Sequence, residues 1–188
     1  MGVRGDGCET KLIASYFVGK RTMDSTRSFI GDLSQRLAGQ IQLTTDGFPF
    51  YQNAVADTFG LDVDFAQLVK LFGDYGQHDE GRYFPPRIME VISKVRIGKP
   101  STQDISTSFV ERQNLTMRMQ LRRFTRLTNA FSKKLDNLKF ALAIHFAYQN
   151  FCRIHGTLRV TPAMEAGLTD HVWAIAELLS WTEQEPFK

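Results

Sequence analysis

The stretch IQLTTDGFPFYQNAVADTFGLDVDFAQLVKLF, residues 41–72, decides how the chain folds. Residues 41–44 read as a short strand, closed by Asp46-Gly47, a dipeptide that favours tight turns. Phe50–Phe59 reads as a helix, with Gly60 at the C-terminal position where a left-handed residue commonly ends one. Val63–Phe72 reads as a second strand, although Ala66, Gln67 and Leu68 leave a helix open there. A strand, a helix and a strand in this order form the repeating unit of an α/β fold.

The same reading extends outward. Upstream, residues 11–18 (KLIASYFV) are rich in β-branched and aromatic side chains and predict a strand ending before Gly19. Residues 24–37 predict an amphipathic helix, with Phe29, Leu33 and Leu37 four apart, Asp24 or Ser25 as its N-cap and Gly39 as its stop. Downstream, residues 73–106 hold four glycines and three prolines and predict an inserted loop or hairpin, with a strand-like piece at 91–97. From Ser108 the pattern turns helical. One helix is expected over 108–126, a second over 129–154, and a short segment opened by Pro162. The expectation is one α/β domain spanning residues 1–188, with a helical C-terminal third and no internal repeat.

Composition narrows the function. The 188 residues carry 23 Lys and Arg against 20 Asp and Glu, and 43% are apolar, enough to build a core and to exclude general disorder. Cys8 and Cys152 are the only cysteines, which excludes a disulfide scaffold and points to a reducing, cytoplasmic setting. No run approaches the roughly 20 apolar residues of a membrane helix, so no membrane partner is expected. Charge is unevenly spread. Residues 111–160 carry ten basic side chains and only two acids, Glu111 and Asp136, while the flanking parts are near neutral or acidic. A solvated helix face would explain a charged run, but this one is rich in Arg, whose planar fork suits phosphate. It favours a polyanion such as nucleic acid.

The chain has no glycine-rich phosphate loop, no GxSxG elbow and no CxxC pair, and its four histidines are scattered. His145, on an apolar helix, reads as a satisfied core residue. Two carboxylates stand out. Asp46 lies just past the end of a strand, where open α/β sheets place ligands, and Glu111 lies in the first turn of the basic helix. Each has an ordinary explanation: Asp-Gly is a common turn, and Ser108-x-x-Glu111 fits a capping box. Together they suit a hard divalent cation, Mg²⁺ or Mn²⁺, which takes carboxylate and water oxygens and can serve phosphodiester chemistry. Steps of seven and eleven residues would put Arg118 and Arg122 on the helix face of Glu111.

At residues 106–119 (STSFVERQNLTMRM) and 122–134 (RRFTRLTNAFSKK) the chain resembles the last catalytic helix of bacterial insertion-sequence transposases of the DDE class. YQNFCRIH (148–155) and LRVTPAMEAG (158–167) are similar to the tail that closes many integrase and transposase domains. Further matches are TKLI (10–13), VGKRT (18–22) and LTTDG (43–47), so the resemblance spans nearly the whole chain. It implies a ribonuclease H-like mixed sheet flanked by helices. It also implies Mg²⁺-dependent cleavage and strand transfer of double-stranded DNA, and a homo-oligomer. The second and third acidic ligands fall on Asp46 and Glu111, separated by 64 residues, with the insertion at 73–106 accounting for the width. Arg112, Asn114 and Arg118 would orient DNA, joined by the neighbouring Arg122 and Arg126.

One departure from the family is specific. The family's first Asp ends a first strand that precedes two more, whereas here a single strand is expected before the first helix. The expectation is therefore a chain lacking its first strands at the N-terminus, with an unpaired sheet edge. Asp6, between two glycines, is either a turn residue or itself the first ligand. The competing reading is a remnant without catalysis that binds only DNA or an intact transposase.

Overall fold

The computed structural model describes residues 2–4, 10–73, 88–125 and 129–184. Gly2–Arg4 (β1), Ile41–Asp46 (β2), Val63–Phe72 (β3) and Ile88–Ile97 (β4) form one sheet in the order β1-β2-β3-β4. β2 and β3 run parallel, and the two outer pairings are antiparallel. The parallel pair is linked through the helix Phe50–Phe59 (α2), which Gly60 ends at φ 58°. Met23–Gln35 (α1) precedes β2. The core between these elements is built from Ile30, Leu33, Leu43, Ala54, Val55, Val63 and Phe65, each at most 2% exposed. Removing the Val, Leu, Ile and Phe side chains among them from water supplies roughly 1.5–3 kcal/mol apiece. The fold is mixed α/β, as the central stretch predicts.

The chain divides into two compact units, Met1–Gly5 with Lys20–Val110 and Asp6–Gly19 with Glu111–Lys188. The first contains the sheet. The second contains most of Ser108–Gln120 (α3), together with Leu135–Ala147 (α4), Pro162–Glu165 (α5) and Ile175–Gln184 (α6).

Several expectations are corrected. Residues 11–18 form no strand. Lys11 has φ 59°, and the backbone of Ile13 is taken by one buried side chain. The Asn150 carbonyl accepts from Ile13 N–H at 3.0 Å, and its amide donates to Ile13 C=O at 3.0 Å. Tyr16 then packs its ring 4.8 Å from Phe146. Tyr16 is thus used against a helix of its own unit. The outer edge of β2 is paired, because Gly2–Arg4 lies antiparallel along Gln42–Thr44. The N-cap of α1 is Thr22, whose hydroxyl accepts from Ser25 N–H, in place of Asp24 or Ser25.

The basic helix is shorter than 108–126. It ends at Gln120, Leu121 turns extended, and Arg122–Phe124 is a separate 3₁₀ turn. Thr125 Oγ1 donates to Arg118 C=O at 3.1 Å, a side-chain bond that serves a carbonyl of the ending helix. The expected helix over 129–154 is α4 alone, continued by a wide π turn at Tyr148–Cys152 that Arg153 N–H closes onto Tyr148 C=O at 3.0 Å. Pro162 opens α5 as read, capped by the Thr161 hydroxyl. His145 is buried as expected but not satisfied: its Nε2 has no hydrogen-bond partner among the described residues.

Two stability effects follow. Asn150→Ala leaves both backbone groups of Ile13 without these partners and is expected to cost about 2 kcal/mol in urea unfolding, the scale of buried polar groups losing partners. Burial, and then the nearby Arg153 charge, hold the His145 pKa below its usual value. The unfolded chain therefore takes up the proton more readily, and stability falls as pH drops below about 6.5. His145→Leu should flatten that loss, read as the difference in urea midpoint between neutral and mildly acid pH.

Candidate functional site

Asp46 is the last residue of β2, aligned with Leu68 on the parallel strand β3. The five residues before it are buried, and Asp46 is exposed. A strand packed on both faces thus delivers a carboxylate to solvent at its C-terminal end. Its Oδ1 accepts from Phe48 N–H at 3.2 Å, which closes the turn over Gly47. A Cβ at Gly47 would lie 3.0 Å from Val69 Cγ2, so the turn passes β3 at a distance that suits glycine.

The turn backbone is held from beneath. Gln67, on β3 and 2% exposed, donates through Nε2 to the carbonyls of Asp46 and Phe48, each at 3.2 Å. Its Oε1 accepts from Arg96 Nε at 2.9 Å. Arg96 sits at a β-bulge, the extra residue of β4 between the pairs Phe65–Ile97 and Ala66–Val95. β4 therefore helps to fix the position of Asp46. Phe48 packs edge-on against Phe50 and Tyr51, and Arg21 lies over the Phe48 ring at 4.4 Å. Burial and the Asp46 charge push the Tyr51 pKa up, with Arg21 opposing, so its hydroxyl remains a donor.

Glu111 and its neighbours belong to the second unit and Asp46 to the first. Glu111 is an acid of the first turn of α3, Ser108 being the first residue of that helix. Asn114 and Arg118, three and seven residues on, share its face, while Arg112 is offset by one position. No side chain of α3 is buried. Arg122 is exposed but lies beyond the helix end, so the helical register linking it to Glu111 does not extend to it. Arg126 and Asp6 lie outside the described residues, as do residues 74–87 of the segment 73–106.

Asp46 and Glu111 each offer a hard oxygen donor at an exposed position, the ligand type that Mg²⁺ or Mn²⁺ takes and softer metals do not favour. Among the described residues no group of three or more His, Cys, Asp or Glu is placed to hold a metal. Cys152 is a poor nucleophile, its thiol pKa raised by burial and by Glu177.

Sequence reasoning missed Arg21, Tyr51, Gln67 and Arg96 around Asp46. Only Gln67 carried a signal, as a polar residue inside an otherwise apolar strand. It also missed His171, whose ring nitrogens lie 2.7 Å from Asp170 Oδ1 and 2.9 Å from Glu177 Oε1. That exposed cluster links the loop before α6 to its first turn. Comparison with known proteins gives no match to any family, curated protein or solved structure.

Gln67→Leu is expected to destabilise the protein by about 1–3 kcal/mol, because two carbonyls and the Arg96 guanidinium lose their partner together. A double-mutant cycle with Arg96→Leu should be clearly non-additive in urea unfolding, since the two residues share one bond.

Proposed function

We propose that this chain is the catalytic region of a DDE-class transposase with a ribonuclease H-like fold, cutting double-stranded DNA and transferring strands with Mg²⁺ or Mn²⁺. The observation that carries the reading is the exposed Asp46 carboxylate at the C-terminal end of β2, beside a parallel strand, on a turn held by Gln67. The motif resemblance around Asp46 and Glu111 supports it, as does the net charge of +8 over residues 111–160.

Asp46 and Glu111 would hold the cation through carboxylate oxygens. The bound ion supplies Lewis-acid stabilisation of the phosphodiester and lowers the pKa of the attacking hydroxyl or water. The chain's own residues do the rest. Gln67 and the turn at Gly47 keep Asp46 in place without a large reorganisation. Arg112 and Arg118 neutralise DNA phosphates along an exposed helix, and Asn114 donates or accepts a hydrogen bond on the same helix. Arg122 extends the basic surface from the adjoining turn. The reading places this activity in the cytoplasm, on transposon ends and target DNA. No described helix is long and apolar enough to cross a membrane.

Incubation with supercoiled plasmid and Mn²⁺ or Mg²⁺ tests it. Nicking is expected, absent in Asp46→Asn and in Glu111→Gln while both variants still bind DNA. Replacing Arg118 and Arg122 with Ala should reduce the slope of log affinity against log salt by about 2. Nicking that survives Asp46→Asn overturns the carboxylate assignment. Metal-independent binding without nicking favours the remnant that only binds DNA.

A further inference from the structure

β4 is the last strand of the sheet, and among the described residues it pairs only with β3. Ten residues long, it carries none of the prolines that often blunt an edge. Its apolar side chains lie open. Met89 is 68% exposed, Val91 50% and Val95 54%, and next to them Phe72 on β3 is 55% exposed. An open edge of this kind presents unpaired N–H and C=O groups to any strand that can lie along it.

The two bulges, at Arg96 and at Met89, leave a regular run of six residues, Glu90 to Val95. Along this run Glu90, Ile92 and Lys94 point to one face, and Val91, Ser93 and Val95 to the other. A second copy of the run laid antiparallel about a two-fold axis at Ile92 sets Glu90 opposite Lys94 of the copy, and Lys94 opposite Glu90 of the copy. Ile92 meets Ile92, and Val91 meets Ser93. Opposed residues in such a pair stand about 5 Å apart, where opposite charges attract and like charges repel. A parallel pairing in register would set Glu90 on Glu90 and Lys94 on Lys94. Of these two, the charge pattern favours the antiparallel arrangement.

We propose that β4 is a homodimer interface, in which two copies pair antiparallel about Ile92 and join their sheets into one. The contact is isologous, each copy giving the same patch. It sets Val95 opposite Met89 of the copy and Val91 opposite Ser93, which covers part of the apolar surface at an otherwise exposed edge. The inference does not depend on the proposed function, because it concerns the free protein.

Sedimentation equilibrium of the intact chain, without DNA, tests it. The wild type is expected to dimerise in the micromolar range, and Glu90→Lys and Lys94→Glu should each weaken the dimer about tenfold or more, as two symmetry-related pairs become repulsive together. The double variant Glu90→Lys with Lys94→Glu should restore it. Circular dichroism melts show that each variant is folded, and Ser93→Lys gives an independent disruption should a charge reversal fail to fold. A wild type that stays monomeric at about 100 µM overturns the proposal and leaves the edge to a strand of another protein. A dimer indifferent to both single reversals, or a double variant that stays monomeric, also overturns it.

Discussion

Backbone that leaves regular structure must still have its N–H and C=O groups bonded, and here buried primary amides meet that demand. The side chain of Gln42 accepts from Ser101 N–H at 2.8 Å and donates to Ser101 C=O at 3.1 Å. Asn150 does the same for Ile13, and Gln67 donates to two carbonyls of the turn after β2. An amide carries both donors and acceptors in one plane, so it can replace the neighbouring strand that an isolated residue lacks. Segments that run as neither helix nor strand are thereby fixed at single residues. No charge is buried to achieve it.

The candidate site depends on one of these amides. Asp46 could lie on a loose loop, since its side chain is exposed, yet the peptide that carries it is bonded to a residue only 2% exposed. The amide is in turn oriented by a guanidinium from a bulge in β4. A bulge re-aims one side chain without disturbing the rest of the ladder, and here it aims Arg96 at Gln67. β4 thus contributes to the candidate site through the backbone beneath it. α3 is organised differently: it presents Glu111, Asn114 and Arg118 on a helix with no buried side chain.

How much was legible follows from where each signal lay. Phe50–Phe59 and Val63–Phe72 have the bounds their patterns gave, because helix periodicity, Gly60 and the apolar run are local. The place of Asp46 at the end of its strand, before the turn at Gly47, was legible for the same reason. The strand expected at residues 11–18 failed because its apolar pattern is neutral between a sheet and a packed extended segment, and Asn150 is far away in sequence. The end of the basic helix was misjudged because Thr125 reaches back to the Arg118 carbonyl, a competition that periodicity does not register. Gln67 and Arg96 could not be paired from sequence, since their meeting requires the bulge that shifts β4 by one residue.

The bond between Ile13 and Asn150 joins residues 137 apart. During synthesis at roughly 5–20 residues per second, Ile13 waits many seconds for its partner to be made. The helices and three main strands of the first unit come from residues 20–110, so that unit has nearly all its material well before the tail is translated. The second unit uses residues 6–19 together with the end of the chain. Residues 10–19 are thus made before the residues that will hold them, and Tyr16 stays uncovered until Phe146 is available to pack beside it.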